Sequence, residues 1–189
     1  MRTFLSAALL SLISTFASAS VMTVEEGATR IGDGANIVGI GGASISSLNP
    51  AYDNSPTVPT SDWVWIGDIN SNNAASWKWD FDLTGFDPAT ALISGVWAAD
   101  NNATALLNGS SIQSVNEFRT LSSFNYTGAT FTSGANSLVF NAVDTGGPAA
   151  FRASLTITAT PVPLPAGLPL ALFGIAALGG LARRARKSA

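Results

Sequence analysis

The sequence predicts an all-β protein, an antiparallel β-sandwich or jelly roll flanked by an N-terminal signal peptide and one C-terminal transmembrane helix. Three observations predict this class. Apolar and polar residues alternate in several short runs, turn-forming residues separate these runs, and long uncharged apolar stretches occur near the two ends. With 189 residues, the chain has room for one domain between the terminal segments.

The first 19 residues are typical of a cleaved signal peptide. Arg2 precedes an apolar stretch, residues 4–16, and Ala17-Ser18-Ala19 supplies the small residues that a signal peptidase accepts. We therefore expect cleavage after Ala19 and export of the domain at residues 20–160. A buried or amphipathic N-terminal helix is the alternative.

Three runs define the clearest strands of the sandwich. Their predicted buried faces are Trp77, Trp79, Phe81 and Leu83 in residues 76–83, Leu138, Phe140 and Ala142 in 137–143, and Phe151, Ala153, Leu155, Ile157 and Ala159 in 150–159. A strand with one apolar and one polar face packs the apolar face on the core. The opposite faces, which include Arg152 and Ser154, are expected in solvent.

Other strands and the turns between them follow from shorter signals. Further strands are expected at residues 36–40, 62–66, 89–98, 104–108 and 118–124. Turns are expected at Asp87-Pro88, Asp100-Asn101-Asn102, Asn108-Gly109 and Gly146-Gly147-Pro148. Three prolines make residues 49–60 a predicted surface loop.

The central region resembles galactose-binding-like jelly rolls. The shared frame is a strand ending at Phe81 to Gly85, a strand leading to Ala99 to Asn101, the pair Asn108-Gly109, and the G-x-N-x-L-x-F segment, residues 134–140. Such modules occur in exported, surface-sorted bacterial proteins and beside glycosidases. The resemblance implies a jelly-roll fold and says little about the ligand.

The C-terminal segment, residues 161–189, has the three parts of a membrane-sorting tail. Residues 164–182 are 19 uncharged residues, enough for a helix of about 28 Å that just spans a bilayer. The helix is expected at about 165–182. The basic tail at 183–187, with Arg183, Arg184, Arg186 and Lys187, acts as a cytoplasmic stop under the positive-inside rule.

A short proline motif precedes this helix. Val162-Pro163-Leu164-Pro165-Ala166 is similar to the VPLPA variant of the PEP-CTERM sorting signal, in which most members carry Pro-Glu-Pro. The resemblance implies recognition by an exosortase, a membrane transpeptidase that cleaves near the motif and passes the protein to the cell surface or extracellular matrix. The prolines hold the motif extended, as a protease cleft requires. A permanent membrane anchor is the alternative.

The composition excludes several kinds of chemistry. Because Cys and His are absent, Ser-His-Asp and Cys-His nucleophiles, imidazole acid–base catalysis and His/Cys zinc sites are excluded. The exported domain carries four basic residues against all twelve acidic ones, a net charge of −8. Nucleic acid and anionic lipid headgroups are therefore poor partners, and we expect no nucleic-acid partner, whereas cations and neutral sugars are compatible with this charge.

Two weak candidate sites could hold a structural calcium ion. Asp68, Asn70 and Asn72 place oxygen ligands at alternating positions, but Asn73 and Trp79 stand where an EF-hand requires Gly and Glu. The second candidate is Asp100 with its neighbours, because related jelly rolls sometimes carry calcium near a strand end. A polar turn is the alternative at residues 68–72, and no cofactor is expected otherwise.

Aromatic and acidic residues suggest two further functions. Alternation places Trp63 and Trp65 on one face of a strand, where partial exposure would allow contact with a sugar ring. A sandwich edge in which both faces of this strand are covered is the alternative. Asp80 and Asp82 share a strand face at the approximate spacing of glycosidase carboxylates, although a solvated face is the simpler interpretation. We expect no catalytic residues.

Three hypotheses follow in order of preference. The first is a non-enzymatic surface or matrix protein with a structural or adhesive role. The second is a carbohydrate-binding module that uses exposed aromatic residues, with polysaccharide as its partner. The third is a glycoside hydrolase.

Overall fold

The computed structural model describes residues 19–32 and 35–163, which form strands, turns and loops without any helix. The compact unit that contains the β-structure spans Ser20–Val162. The apolar signal segment with Ala17, the sorting residues Leu164, Pro165 and Ala166, the helix at 165–182 and the basic tail lie outside the described residues. Within the described ranges, no helix has the length and hydropathy needed to cross a membrane.

Nine strands form one curled antiparallel sheet, within the described part of the chain. They are β1 (Met22–Ala28), β2 (Val38–Gly39), β3 (Ile45–Ser46), β4 (Val64–Trp65), β5 (Ala74–Asp82), β6 (Phe86–Leu107), β7 (Ser110–Tyr126), β8 (Ala135–Val143) and β9 (Ala150–Pro161). The predicted all-β, antiparallel class is confirmed.

The long strand β6 joins two layers of this sheet. Its first part pairs with β9 as far as Asp100, which lies opposite Ala150, and its second part pairs with β8 from Asn102, which lies opposite Val143. β5 and β2 extend the layer of β8, while β1 and β4 pair with β9. β6 therefore changes its hydrogen-bonding partner at residues 100–102.

Aromatic side chains fill the space between the layers. The rings of Trp77 on β5 and Phe151 on β9 stack with centroids 4.7 Å apart, although these strands are not hydrogen-bonded neighbours. The backbone also approaches an aromatic ring at Gly27 on β1, where a Cβ atom would lie 2.7 Å from the Trp79 ring. A side chain at this glycine would force the layers apart.

The predicted buried faces of residues 76–83, 137–143 and 150–159 are confirmed, since every apolar residue of these faces is buried. The expected solvent exposure of Arg152 and Ser154 is wrong, because the loop at 49–60 covers this face of β9. Residues 49–60 do form a loop, which we call the Pro-rich loop.

Two predicted turns are wrong, and two are confirmed. Asp87-Pro88 and Asp100-Asn101-Asn102 lie inside β6, so the separate strands predicted at 89–98 and 104–108 are one strand. Pairing with β8 and β9 overrides the local turn preference there. Asn108-Gly109 does turn the chain, with positive φ at both residues, and Gly146-Gly147-Pro148 lies in the β8–β9 loop.

Candidate functional site

The Pro-rich loop is fastened across the outer face of β9 by buried polar side chains. The Arg152 guanidinium donates from Nη1 to the carbonyl oxygen of Asp53 at 2.7 Å and from Nη2 to that of Ser55 at 3.1 Å. The Ser154 hydroxyl donates to the carbonyl oxygen of Pro59. These bonds tie three carbonyls of the loop to side chains of β9.

A small second apolar cluster supports the loop. Tyr52 and Trp63 stack with ring centroids 4.6 Å apart, and both pack on Ala98 and Ala150, which point away from the main core. The Trp63 indole N–H donates to the carbonyl oxygen of Asp53 at 2.9 Å. The loop therefore covers a core of its own on the outer face of the sheet.

A cleft of about 520 Å³ lies between this loop, β9 and the neighbouring segments. Its polar lining consists of Ser46, Asn54, Thr57, Thr60, Ser61, Asp62 and Arg152. Ile31, Leu48, Pro56 and the edge of Trp63 form apolar walls. Clefts of this size, with convergent polar groups and apolar walls, are typical of small-ligand sites.

Arg152 gives the cleft a fixed positive group. Its side chain is 5% exposed, and no carboxylate lies within 4 Å of it among the described residues. Besides the two loop carbonyls, Nε bonds the Ser61 hydroxyl at 2.9 Å, so three of five N–H donors are used and two remain. Burial lowers the pKa of Arg152, whereas the negative charges of Asp53 and Asp62 raise it.

The predicted exposure of Trp63 and Trp65 is wrong. Trp63 is 2% exposed and Trp65 is fully buried. Only Val64 and Trp65 pair as a strand, so the two indoles enter different clusters: Trp63 under the Pro-rich loop and Trp65 in the main core beside Trp77. Neither presents a ring face on which a sugar could stack.

The two weak calcium candidates differ in structure. Asp68, Asn70 and Asn72 are exposed, and the Asp68 carboxylate accepts the backbone N–H of Asn70 at 2.9 Å, as in an Asx turn. Among the described residues, no three or more Asp, Glu, His or Cys side chains gather as a metal cluster. Residues 68–72 thus form the polar turn that was the alternative.

Asp100, in contrast, lies in a buried polar environment. Its Oδ2 accepts the Tyr52 hydroxyl at 3.3 Å, and its Oδ1 accepts Asn101 Nδ2 at 2.9 Å. Burial raises the pKa of Asp100, and the nearby Asp144 carboxylate raises it further. Asp144 was missed in the sequence because it precedes Gly146-Gly147-Pro148 and resembles an ordinary turn residue.

Asp80 and Asp82 do not form a glycosidase pair. Both are exposed; Asp80 pairs with Lys78, and Asp82 accepts the backbone N–H and hydroxyl of Thr84. Hydrogen bonding to Lys78 lowers the pKa of Asp80, and hydrogen bonding to Thr84 lowers that of Asp82. A general acid needs a raised pKa, so neither carboxylate is suited to proton donation.

Comparisons with known proteins give matches only among solved structures. No protein-family model and no curated protein matches the sequence. Carbohydrate-binding module CBM36, solved with calcium and xylotriose, is similar at 13% identity and a TM-score of 0.39, over 75% of this chain and 98% of that one. A family 35 carbohydrate-binding module from Clostridium thermocellum is similar at 17% identity and a TM-score of 0.37, over 74% of this chain and 98% of that one. CBM35 from Paenibacillus barcinonensis is similar at 17% identity and a TM-score of 0.34, over 73% of this chain and 97% of that one.

Proposed function

We propose that this protein is an exported, non-enzymatic protein of the cell surface or extracellular matrix, whose jelly-roll domain binds a neutral polysaccharide in the cleft beneath the Pro-rich loop. Binding there would serve adhesion or matrix structure. In this proposal the signal peptide exports the chain, the C-terminal helix holds it in the inner membrane, and an exosortase-type transpeptidase releases it at the VPLPA motif.

One observation carries the binding proposal: the cleft combines a preorganised hydrogen-bonding floor with apolar walls. Arg152 is held by three hydrogen bonds before any ligand arrives, so little conformational freedom is lost on binding. Sugars present hydroxyl groups at the ring edge and C–H groups on the ring face. The two free N–H donors of Arg152 suit the hydroxyls, and Ile31 and Leu48 suit the C–H faces.

Charge favours a neutral polysaccharide over an acidic one. The net charge of −8 on the domain repels a polyanion, and Asp62 adds a carboxylate to the cleft itself. Since Asp62 is the one carboxylate among the residues lining the cleft, the two-carboxylate mechanism of glycoside hydrolysis has no second group there.

The test is a binding assay of the purified full-length protein in detergent against a panel of neutral and uronate polysaccharides. Thr60 is an exposed residue that lines the cleft, and the variant Thr60→Trp fills the cleft with a large side chain. Thr127→Trp places the same side chain at an exposed position outside the cleft. We expect Thr60→Trp to weaken binding at least about tenfold and Thr127→Trp to leave it unchanged.

Salt dependence provides the second readout. Binding of a neutral chain should change by less than about twofold from about 50 to about 500 mM NaCl, because no charge pair is screened. No binding to any neutral polysaccharide, or equal binding by Thr60→Trp and the unchanged protein, would reject the cleft as the site.

A further inference from the structure

Two buried carboxylates lie where β6 passes from β9 to β8. Asp100 is 6% exposed and Asp144 is 2% exposed. The β8–β9 loop brings them together, because Asp144 directly follows Val143, which pairs with Asn102. The next residue, Thr145, donates its backbone N–H to Asn101 Oδ1 at 2.7 Å, which holds the loop against the strand beside Asp100.

No basic side chain lies in contact with this pair. Among the described residues, the one ion pair within 4 Å joins Lys78 and Asp80, and the positive charge of Arg119 acts on Asp100 from a greater distance. Asp144 Oδ1 accepts the Gly146 N–H at 3.1 Å, but Oδ2 is buried without any hydrogen-bond partner. Buried carboxylates are normally paired with a cation or bound to a metal.

The surrounding donors are oxygen atoms. The Tyr52 hydroxyl lies within hydrogen-bonding distance of both Asp100 Oδ2 and the carbonyl oxygen of Pro148, so that carbonyl lies beside the carboxylate. Its single proton can be donated to only one of the two oxygens at a time. Asn101 donates from Nδ2 to Asp100 Oδ1, and its own side-chain oxygen is used by Thr145. Carboxylate, amide and backbone oxygens are the ligands that Ca²⁺ prefers, whereas Mg²⁺ retains several waters and suits a closed site less well.

We propose that Asp100 and Asp144 bind a calcium ion with the help of the Pro148 carbonyl oxygen. The ion neutralises the two carboxylates and gives Asp144 Oδ2 its missing partner. It also stabilises the β8–β9 loop and, through Tyr52, the Pro-rich loop above it. None of the three proposed ligands lines the cleft, so the calcium proposal does not rest on the polysaccharide proposal.

The experiment follows chelator-treated full-length protein in detergent during titration with Ca²⁺, using thermal unfolding and terbium luminescence. Tb³⁺ occupies calcium sites and is excited by nearby aromatic rings, and Tyr52 bonds the proposed ligand Asp100 directly. We expect saturating Ca²⁺, about 1 mM, to raise the unfolding temperature by about 5 °C or more, and Mg²⁺ to raise it less.

Two matched variants locate the ion. Asp144→Asn should weaken Tb³⁺ and Ca²⁺ binding at least about tenfold. Without metal, this variant should unfold at no lower temperature than the unchanged protein, because the substitution removes an unpaired buried charge. Asp68→Asn, in the exposed turn, should bind as before.

Other results would overturn the proposal. No Ca²⁺-dependent shift, or a shift that persists in Asp144→Asn, would mean that the pair holds a proton or a buried water. Loss of the Ca²⁺-dependent rise in unfolding temperature in Asp68→Asn would show that the ion binds in the turn at residues 68–72 instead. Thr60→Trp should keep the full calcium shift, so a failure of polysaccharide binding does not affect this result.

Discussion

Arg152, at the scale of single residues, combines a structural role with the binding role that we propose. One guanidinium bonds two carbonyls of the Pro-rich loop and the Ser61 hydroxyl, which leaves two of its five N–H donors. A Lys at this position has a single ammonium group and cannot reproduce the planar fork. The same geometry that fastens the loop therefore fixes the donors that we assign to the ligand.

Two buried tryptophans provide a prediction at this scale. Trp97 and Trp65 are both fully buried, but the Trp97 indole N–H has no hydrogen-bond partner, whereas that of Trp65 donates to Asn73 at 2.9 Å. We expect Trp97→Phe to destabilise the protein by about 1–2 kcal/mol less than Trp65→Phe, because it removes no hydrogen bond. Chemical denaturation of both variants measures the difference; equal losses would contradict it.

At the scale of elements, Asn136 in the G-x-N-x-L-x-F segment holds together the connection from residue 130 to β8. Its Nδ2 donates to the carbonyl oxygens of Thr132 and Gly134 at 2.8 Å each, and its Oδ1 accepts Thr132 N and Asn108 Nδ2 at 2.9 Å each. All four bonding positions of this buried amide are used. The motif is thus explained by the fold, without a ligand.

The variant Asn136→Ala should therefore lower the free energy of unfolding by about 2–4 kcal/mol, because several partners are left unsatisfied. Asn141→Ala, at an exposed position of the same strand, is the control and should change it by less than about 0.5 kcal/mol. Denaturant titrations of both variants give the values. A similar small effect for both would show that the amide network is dispensable.

The Pro-rich loop carries a pH dependence of its own. Asp53 accepts the backbone N–H of Ser55 and that of Leu121, each at 2.9 Å. Hydrogen bonds from the Ser55 hydroxyl, the Ser55 N–H and the Leu121 N–H hold the pKa of Asp53 below its usual value. Because the folded pKa is lowered, the contribution to stability is complete above about pH 4 and is lost as the pH falls through the folded pKa.

We accordingly expect Asp53→Asn to have a lower denaturation midpoint than the unchanged protein at pH 6. The difference should shrink as the pH falls from about 4 to about 2.5, since both side chains are then uncharged. Denaturation in chelator across this range removes any effect of metal. A constant difference would show that the charge of Asp53 plays no part.

Charge and hydropathy divide the whole molecule into a predicted signal peptide, an acidic domain and an apolar segment with a basic end. If the VPLPA motif is processed, the extracellular form should begin at Ser20 and end between Val162 and Ala166 in intact-mass measurements. The form in the membrane should retain Arg183 to Ala189. A species outside the cell that keeps the basic tail, or no extracellular species, would favour a permanent anchor.

The sequence by itself determined the strand class, the buried faces of β5, β8 and β9, the turn at Asn108-Gly109 and the Pro-rich loop. Alternation and turn chemistry are local, so they can be read without the fold. It did not reveal that β6 runs through Asp100 to Asn102, because partner strands distant in sequence supply those hydrogen bonds.

Only the tertiary structure decided the candidate sites. In the alternation of β9, Arg152 falls on the face expected in solvent, yet a loop whose Asp53 lies 99 residues earlier in the chain covers it and forms one side of the cleft. Trp63 is buried by the same loop, and Asp144 is brought beside Asp100 by the β8–β9 connection. The periodicity within one strand shows which face is apolar. Which segment covers the other face depends on contacts between residues that are distant in the sequence.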